Sequence, residues 1–171
     1  MNVFYCNNMD NEVCVLTQEE SIHCIKVLRH KKGDTINITN GNGLLVSATI
    51  INDSQKGVIV QKESILQNHL QRHYHLHLAV APTKNFSRYE WFVEKASEFG
   101  IAEITPIITA KTEKKHLKIE RLQKISIEAM KQSMSLFLPT IHQSVRFADF
   151  INNYKNTPSS KAIAWCGNTD K

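Results

Sequence analysis

Two cations flank a predicted turn between a strand and a helix near the middle of the chain. The segment Leu78–Lys84 is typical of a buried strand that ends in a short polar turn, and Arg88 follows it. Ligands of open α/β sheets collect at the carboxyl ends of the strands, so Lys84 and Arg88 could hold an anion there. The next helix carries three glutamates at intervals of four residues beside Lys95, and the same cations could simply balance that acidic face. Both interpretations stay open.

A second group of cations lies at the end of the first predicted helix. Arg29 and Lys31 belong to a basic run at residues 29–32, and His23 lies earlier on the same helix. Such a helix end can contact phosphates, which position a protein on nucleic acid without reading its sequence. The same cations would also complement the negative end of the helix dipole. The sequence favours neither role over the other.

Three histidines alternate along one extended segment. His73, His75 and His77 would present their imidazoles on one face of a strand, where imidazole can bind a transition metal. No carboxylate or cysteine lies close by in sequence to complete such a site. We therefore expect a solvated strand face and no metal.

Familiar catalytic and nucleotide-binding motifs are missing. The sequence contains no G-x-S-x-G, no G-x-x-x-x-G-K-[ST] and no G-x-G-x-x-G. Of its six glycines, only Gly167 follows Gly100. No glycine-rich loop is therefore evident where the backbone could approach a nucleotide or adenosyl cofactor closely.

Composition indicates a globular, cytoplasmic protein. A length of 171 residues with 42% hydrophobic residues can form one ordinary domain or two small ones. No apolar run approaches the roughly 20 residues of a membrane span, and the N-terminus is too polar for a signal peptide. The four cysteines lack zinc-site spacing, so we expect buried free thiols at Cys6, Cys14, Cys24 and Cys166.

Positive charge is concentrated in the second part of the chain. Residues 1–71 hold 6 Lys/Arg against 7 Asp/Glu, whereas residues 72–171 hold 15 against 9. The second part is therefore the electrostatic candidate for a polyanion such as RNA. A basic surface without a partner is the alternative.

The first part of the chain is predicted to form a small β-barrel with one helix. Thr17 and Glu20 match a capping box that starts a helix reaching Leu28. The turn at 40–43 combines asparagine and glycine between apolar runs, a strong hairpin signal. The predicted strands are Val3–Cys6, Glu12–Leu16, Thr35–Thr39, Leu44–Ile51 and Val58–Ser64. A polar stretch near residue 70 separates this part from the next, giving predicted domains 1–70 and 71–171.

The second part alternates strands and helices, which predicts a largely parallel sheet. A second capping box at 87–90 would start a helix whose inner face carries Phe92, Ala96 and Phe99 and which ends at Gly100. A basic helix would follow with apolar residues inward and with Lys118, Arg121, Lys124 and Lys131 on its surface. The remaining predicted elements are strands Leu76–Ala81, Ile104–Thr109 and Lys161–Cys166, and helices Ile119–Met134 and Phe147–Tyr154.

Three segments, in order along nearly the whole chain, resemble the RsmE family of 16S ribosomal RNA uridine-N3 methyltransferases. The first runs from His23 to Arg29 and on through the glycine turns at 33–34 and 40–43, like that family's PUA-like barrel. The second is Lys84 with residues 94–106, which resemble K…K-x-x-E-L-G-V-x-x-I-x-P, with Phe99 and Ile101 in place of its leucine and valine. The third is residues 128–133 with Pro139, which match E-A-x-x-Q-S…P. At Met134-Ser135 many relatives have glycine-arginine, which removes one candidate RNA-contacting cation.

The resemblance implies an α+β chain of two domains, a PUA-like barrel followed by an α/β SPOUT-type methyltransferase domain with a knot. Such enzymes use S-adenosylmethionine and usually act as homodimers. The family's G-P-E-G-G and L-G-x-x-I-L-R cofactor loops do not occur in this sequence. We therefore expect a methyltransferase domain that is incomplete at its C-terminus, with no assignable cofactor-binding residues and no activity of these 171 residues alone.

The implied function is methylation of uridine N3 in 16S ribosomal RNA, with the RNA or small subunit as partner and no membrane. No catalytic base is identifiable from the sequence. The candidate RNA-binding residues are His23, Arg29, Lys31, Lys84, Arg88, Lys95 and Gln132. A non-catalytic RNA-binding or ribosome-assembly module is an alternative, and an α/β protein that binds a small anionic ligand at Lys84 is another.

Overall fold

The computed structural model describes residues 2–69, 74–113 and 116–164, which form two sheets and four α-helices. The strands are β1 (Val3–Tyr5), β2 (Val13–Val15), β3 (Thr35–Thr39), β4 (Leu44–Asn52), β5 (Ile59–Asn68), β6 (His77–Val80), β7 (Glu103–Ile108), β8 (Thr140–Ile141) and β9 (Val145–Arg146). The helices are α1 (Gln18–Ile22), α2 (Phe86–Glu98), α3 (Ile119–Gln132) and α4 (Phe147–Tyr154).

The first sheet has the order β1-β3-β4-β5-β2. β1 pairs with β3 in parallel, and the other neighbours are antiparallel. Residues from all five strands, including Phe4, Ile38 and Val60, bury their side chains in one core. The Cys6 thiol donates to the Val15 carbonyl at 3.5 Å, so the two edge strands approach each other. The sheet therefore curls around its core, as the predicted small barrel requires.

The cysteines of this part are free and buried, as predicted for Cys6, Cys14 and Cys24. Burial raises the pKa of the Cys6 and Cys24 thiols to about 11. Both thiols are therefore protonated and unreactive at neutral pH. Cys166 lies outside the described residues.

The first helix differs from its prediction after one turn. The Thr17 hydroxyl accepts the Glu20 N–H at 3.3 Å, which confirms the predicted cap. The Glu20 carboxylate, however, accepts from the Tyr5 N–H and from the Lys131 ammonium, so it serves the fold and not the expected capping box. Residues His23–Val27 continue as a π-helical turn. Such turns occur often at functional sites.

The second sheet is parallel throughout, as the alternation of strands and helices predicts. β7 lies between β6 and β8 and also pairs with β9. Helices α2 and α3 cover the sheet through a core that contains Tyr89, Val93 and Leu122. Full burial of an aliphatic side chain such as Val93 or Leu122 contributes roughly 1.5–3 kcal/mol to the free energy of folding.

Two predictions about α2 are wrong. The helix begins at Phe86, because the Asn85 side chain accepts the Ser87 N–H at 3.1 Å and acts as the cap. The buried face carries Tyr89, Val93 and Ala96, which leaves Phe99 at the C-cap with 77% of its surface exposed. Gly100 follows with a φ of 75°, so the predicted left-handed helix end is confirmed.

The predicted last strand, Lys161–Cys166, does not form over residues 161–164, and its last two residues lie outside the described residues. Residues 161–164 belong to no strand, and Ile163 is 78% exposed. The apolar residues there have no neighbouring strand in the described part of the chain, and a strand is stable only against a partner. The short strands β8 and β9 were not predicted, since two residues leave no period to detect.

The two sheets are joined through the segment that follows α3. Gly43 donates its N–H to the Leu136 carbonyl at 2.8 Å, and Leu138 donates to the Gly41 carbonyl at 2.7 Å. Both glycines have positive φ, and a Cβ on Gly43 would lie 2.0 Å from the carbonyl oxygen of His69. The predicted hairpin turn therefore also docks the second part of the chain.

No helix among the described residues is long and apolar enough to cross a membrane.

Candidate RNA interface

A cleft lies where α3 meets the first sheet. Its volume is about 610 Å³, and its walls come from β1, the π-helical turn and the end of α3. His23 and Gln132, both predicted to contact RNA, lie on it and are exposed. The lining residues are Asn2, Val3, Phe4, His23, Leu28, Glu128, Lys131, Gln132 and Met134. The fold thus joins two candidates that are far apart in sequence.

A buried ion pair holds the base of this cleft. The Lys131 ammonium donates to Glu20 at 2.6 Å and to Glu128 at 2.9 Å. The side chains of Lys131 and Glu20 are only 11% and 7% exposed. Burial alone would lower the pKa of Lys131, but the two hydrogen bonds outweigh it and raise the pKa above its ordinary value. The expected surface position of Lys131 is therefore wrong, because α1 covers this end of α3.

The backbone at the rim of the cleft is strained at two positions. Met134 follows α3 with a φ of 58°, and Arg29 follows the π-helical turn with a φ of 60°. Non-glycine residues rarely adopt such angles. The resemblance places glycine at position 134 in many relatives, which fits this conformation. Arg29 is exposed next to the cleft residue Leu28.

The basic run after Arg29 is organised by Asp34. The Asp34 carboxylate accepts the Lys31 backbone N–H at 2.9 Å and lies 3.3 Å from the His30 ring nitrogen. The Lys31 hydrogen bond, followed by that of His30, lowers the pKa of Asp34. The side chain of Lys31 is left at an exposed position on this turn.

Like Arg29 and Lys31, the other three candidates do not line the cleft. Lys84 follows β6 and pairs with Glu113 at 3.3 Å, with 82% of its side chain exposed. Arg88 is exposed on the first turn of α2. Lys95 donates to two glutamates of its own helix, which raise its pKa. Of these three cations, Lys95 has the most ion pairs with carboxylates of the protein.

A second concave surface, which the sequence did not indicate, lies along the start of α3. It measures about 710 Å³ and carries Lys118, Arg121 and Lys124. Arg121 pairs with Glu90, and Lys124 pairs with Glu19. Helical periodicity identified these cations as outward-facing, but it could not show that they share one hollow.

A histidine and glutamate cluster lies at the amino ends of the parallel strands. Glu103 accepts from His75 and from His142, each at 2.5 Å, and His77 Nδ1 lies 3.9 Å from the same carboxylate. The pKa of His77 is lowered, chiefly by burial. Hydrogen bonds from His142 and His75 outweigh the effect of burial on Glu103 and lower its pKa. His73, the third member of the predicted triplet, lies outside the described residues.

Comparison with known families matches both parts of the chain. Residues 16–63 match the RNA methyltransferase PUA domain, and residues 70–171 match the RNA methyltransferase domain. The α+β fold class predicted from the motifs is thereby confirmed.

Curated and structural relatives agree with this match. The chain is 30% identical over 161 residues to Ribosomal RNA small subunit methyltransferase E of Rickettsia conorii, covering 91% of this chain and 64% of that protein. A probable rRNA-methyltransferase from Porphyromonas gingivalis shares 31% identity, with a TM-score of 0.76 over 88% of this chain and 63% of that one. A putative methyltransferase of Legionella pneumophila, solved with bound SAM, shares 24% identity and the fold, with a TM-score of 0.78 over 92% of this chain and 68% of that one.

The chain spans less than two thirds of the length of the curated relative from Rickettsia. The domain matches and the relatives together confirm the resemblance predicted from the three motif segments. Since the match to the RNA methyltransferase domain alone covers more than half of the sequence, the chain belongs to this family of RNA methyltransferases.

Proposed function

We propose that the whole protein methylates N3 of a uridine in small-subunit ribosomal RNA with S-adenosylmethionine as donor. The observation that carries this proposal is the family match over residues 70–171, joined to a PUA match in the same chain. The name of the Rickettsia relative supports ribosomal RNA as substrate. The SAM bound to the Legionella protein supports the donor.

The chemistry requires an unpaired uridine and a way to favour its anion. N3 is hidden in a base pair, so the target must be single-stranded or flipped out. N3 is also protonated at neutral pH, so a base or a positive field must act on it. Lys84 and Arg88, near the carboxyl end of β6, could stabilise negative charge on the uracil or hold a phosphate. When bound, the donor supplies an electrophilic methyl group.

We propose the cleft between the first sheet and α3 as the RNA-facing surface. His23 and Gln132 lie on its walls, and Arg29 and Lys31 are exposed in the segment that follows the π-helical turn. Phosphate contacts by these cations would set the position of the RNA, while the exposed amide of Gln132 could contact a base or support the site. Lys95 is the weakest candidate, because Glu94 and Glu98 already bind its ammonium.

We also propose a domain boundary near residue 70, a homodimer and a cytoplasmic location. The boundary is supported by the change from one sheet to the other between β5 and β6. Dimerisation rests on the resemblance, and the location rests on the ribosomal substrate of the relatives.

Methyl transfer from labelled S-adenosylmethionine to small ribosomal subunits and to naked 16S RNA tests the proposal. The 171-residue chain and a native-length protein would be assayed side by side, with nucleoside mass spectrometry of the product. N3-methyluridine formed by the native-length protein supports the proposed reaction. If neither protein methylates RNA but both bind it, the chain is an RNA-binding or assembly module instead.

A further inference from the structure

The cluster at the amino ends of the parallel strands brings three metal-binding side chains together. One donor atom from each of His77, Glu103 and His142 lies within 4.8 Å of the other two. His142 Nε2 is 2.5 Å from a Glu103 oxygen, and His77 Nδ1 is 3.9 Å from the same oxygen. Two imidazoles and a carboxylate are a ligand set typical of zinc and other divalent transition metals.

The ring of His77 is oriented as in a metal ligand. Its Nε2 lies 2.7 Å from the Thr105 hydroxyl, which leaves Nδ1 on the side of Glu103. Histidine ligands usually hydrogen-bond through their second nitrogen, which fixes the tautomer and the ring plane. Thr105 and Glu103 are both on β7, two residues apart on the same face of the strand.

The backbone that carries the three side chains is well supported. His77 is paired with Glu103 in the ladder between β6 and β7, and His142 donates its N–H to the Ile104 carbonyl at 2.9 Å. Phe150 and Tyr154 of α4 pack edge-on against the His77 ring at 5.4 and 5.1 Å. An apolar wall of this kind limits the access of water to the ligands.

We propose that His77 Nδ1, Glu103 and His142 Nε2 bind a divalent transition metal of the zinc type. A tetrahedral site with bonds of about 2.0 Å spaces its donors by roughly 3.3 Å. The distances of 2.5 and 3.9 Å from the Glu103 oxygen to the two imidazole nitrogens each differ from that spacing by less than about 1 Å, on the order of a side-chain rotation. His75, which contacts the second oxygen of Glu103, or a water takes the fourth position. Metal binding would require the hydrogen that His142 Nε2 donates to Glu103 to move to Nδ1 or to solvent, so that Nε2 can coordinate the metal.

The proposed metal would connect β6, β7 and the segment after β8. It lies at the opposite ends of the strands from Lys84, so its role is to hold the sheet together and not to act on the RNA. The alternative is a metal-free cluster in which Glu103 accepts two imidazole N–H groups. Titration with Co²⁺, which absorbs visibly in tetrahedral nitrogen and oxygen sites, separates the two.

The decisive variant is His142→Gln, because a glutamine amide can still donate to Glu103 but is a poor metal ligand. We expect the unmodified chain to bind one Co²⁺, which Zn²⁺ displaces, and the variant to bind at least about tenfold more weakly. His116→Gln, at an exposed histidine before α3, is the matched control and should bind like the unmodified chain. Circular dichroism confirms that each variant is folded.

Two outcomes would overturn the proposal. One is the absence of saturable Co²⁺ binding by the folded chain. The other is binding that His116→Gln weakens as much as His142→Gln does. Neither outcome bears on methyl transfer, so the metal site and the proposed enzymatic function are tested separately.

Discussion

Replacing Lys131 with methionine should destabilise the protein strongly, because it leaves Glu20 charged and buried. Methionine keeps most of the apolar stem of lysine but removes the ammonium. Glu20 is 7% exposed, and within the described part of the chain it would retain only the Tyr5 N–H at 3.4 Å, which is a long contact. Breaking a buried ion pair from one side costs about 3–5 kcal/mol. We expect Lys131→Met to lower the free energy of unfolding by about 3 kcal/mol, at the lower end of that range, because water from the adjoining cleft can reach Glu20.

A matched control lies two turns earlier on the same helix. Lys124 pairs with Glu19 of α1, but these side chains are 60% and 68% exposed. An exposed pair contributes about 0–1 kcal/mol, so Lys124→Met should have little effect. The double variant Lys131→Met with Glu20→Gln should be more stable than Lys131→Met alone, since no buried charge remains.

Urea unfolding followed by circular dichroism and by fluorescence measures these differences, provided that both probes report one transition. The pH dependence gives a second check. The folded pKa of Lys131 is raised, so its contribution is fully present below the unfolded value of 10.5 and is lost as pH rises through the folded value. The reasoning is refuted if Lys131→Met lowers the free energy of unfolding no more than Lys124→Met does, because the buried pair between α1 and α3 would then not stabilise the fold.

Three further predictions follow from the backbone and the surface. Met134→Gly should stabilise the chain by about 1 kcal/mol in urea unfolding, because it relieves a left-handed φ of 58°; a loss of stability would contradict this. Gly43→Ala should lower the free energy of unfolding by more than about 2 kcal/mol in the same measurement, since its Cβ would lie 2.0 Å from the His69 carbonyl oxygen. Near-wild-type stability would contradict the close contact between this turn and the segment after α3. Arg29→Ala should weaken binding to RNA of every sequence and reduce the slope of log affinity against log salt concentration by about 1. An unchanged slope, measured by fluorescence anisotropy, would exclude a phosphate contact.

Local sequence signals predicted most of the elements. β3 and α4 have the predicted bounds, and the Thr17 cap and the Gly100 helix end are confirmed. These features depend on neighbours within one turn or one hairpin, so spacing alone reveals them. The errors at Phe99 and Lys131 have the opposite origin, because the burial of each residue depends on which element packs against it.

The candidate site was only partly predictable. His23 and Gln132 were chosen individually, and the sequence contained no sign that they share one cleft. Glu103 and His142 were not predicted, because the sequence analysis sought metal ligands only among residues close in sequence to the histidine triplet. A parallel sheet places residues from successive strands side by side, which no spacing along the chain reveals.

The sequence by itself determined most of the strands and helices, the parallel second sheet and, through three motif segments, the family. Periodicity, turn residues and caps act over a few residues, so they survive in a one-dimensional pattern. The tertiary structure alone decided that Lys131 meets Glu20 across 111 residues and that Glu103 lies among three histidines. Such contacts form only when the two sheets and α3 pack together, so the burial and the charge partners of these residues cannot be inferred from their neighbours in sequence.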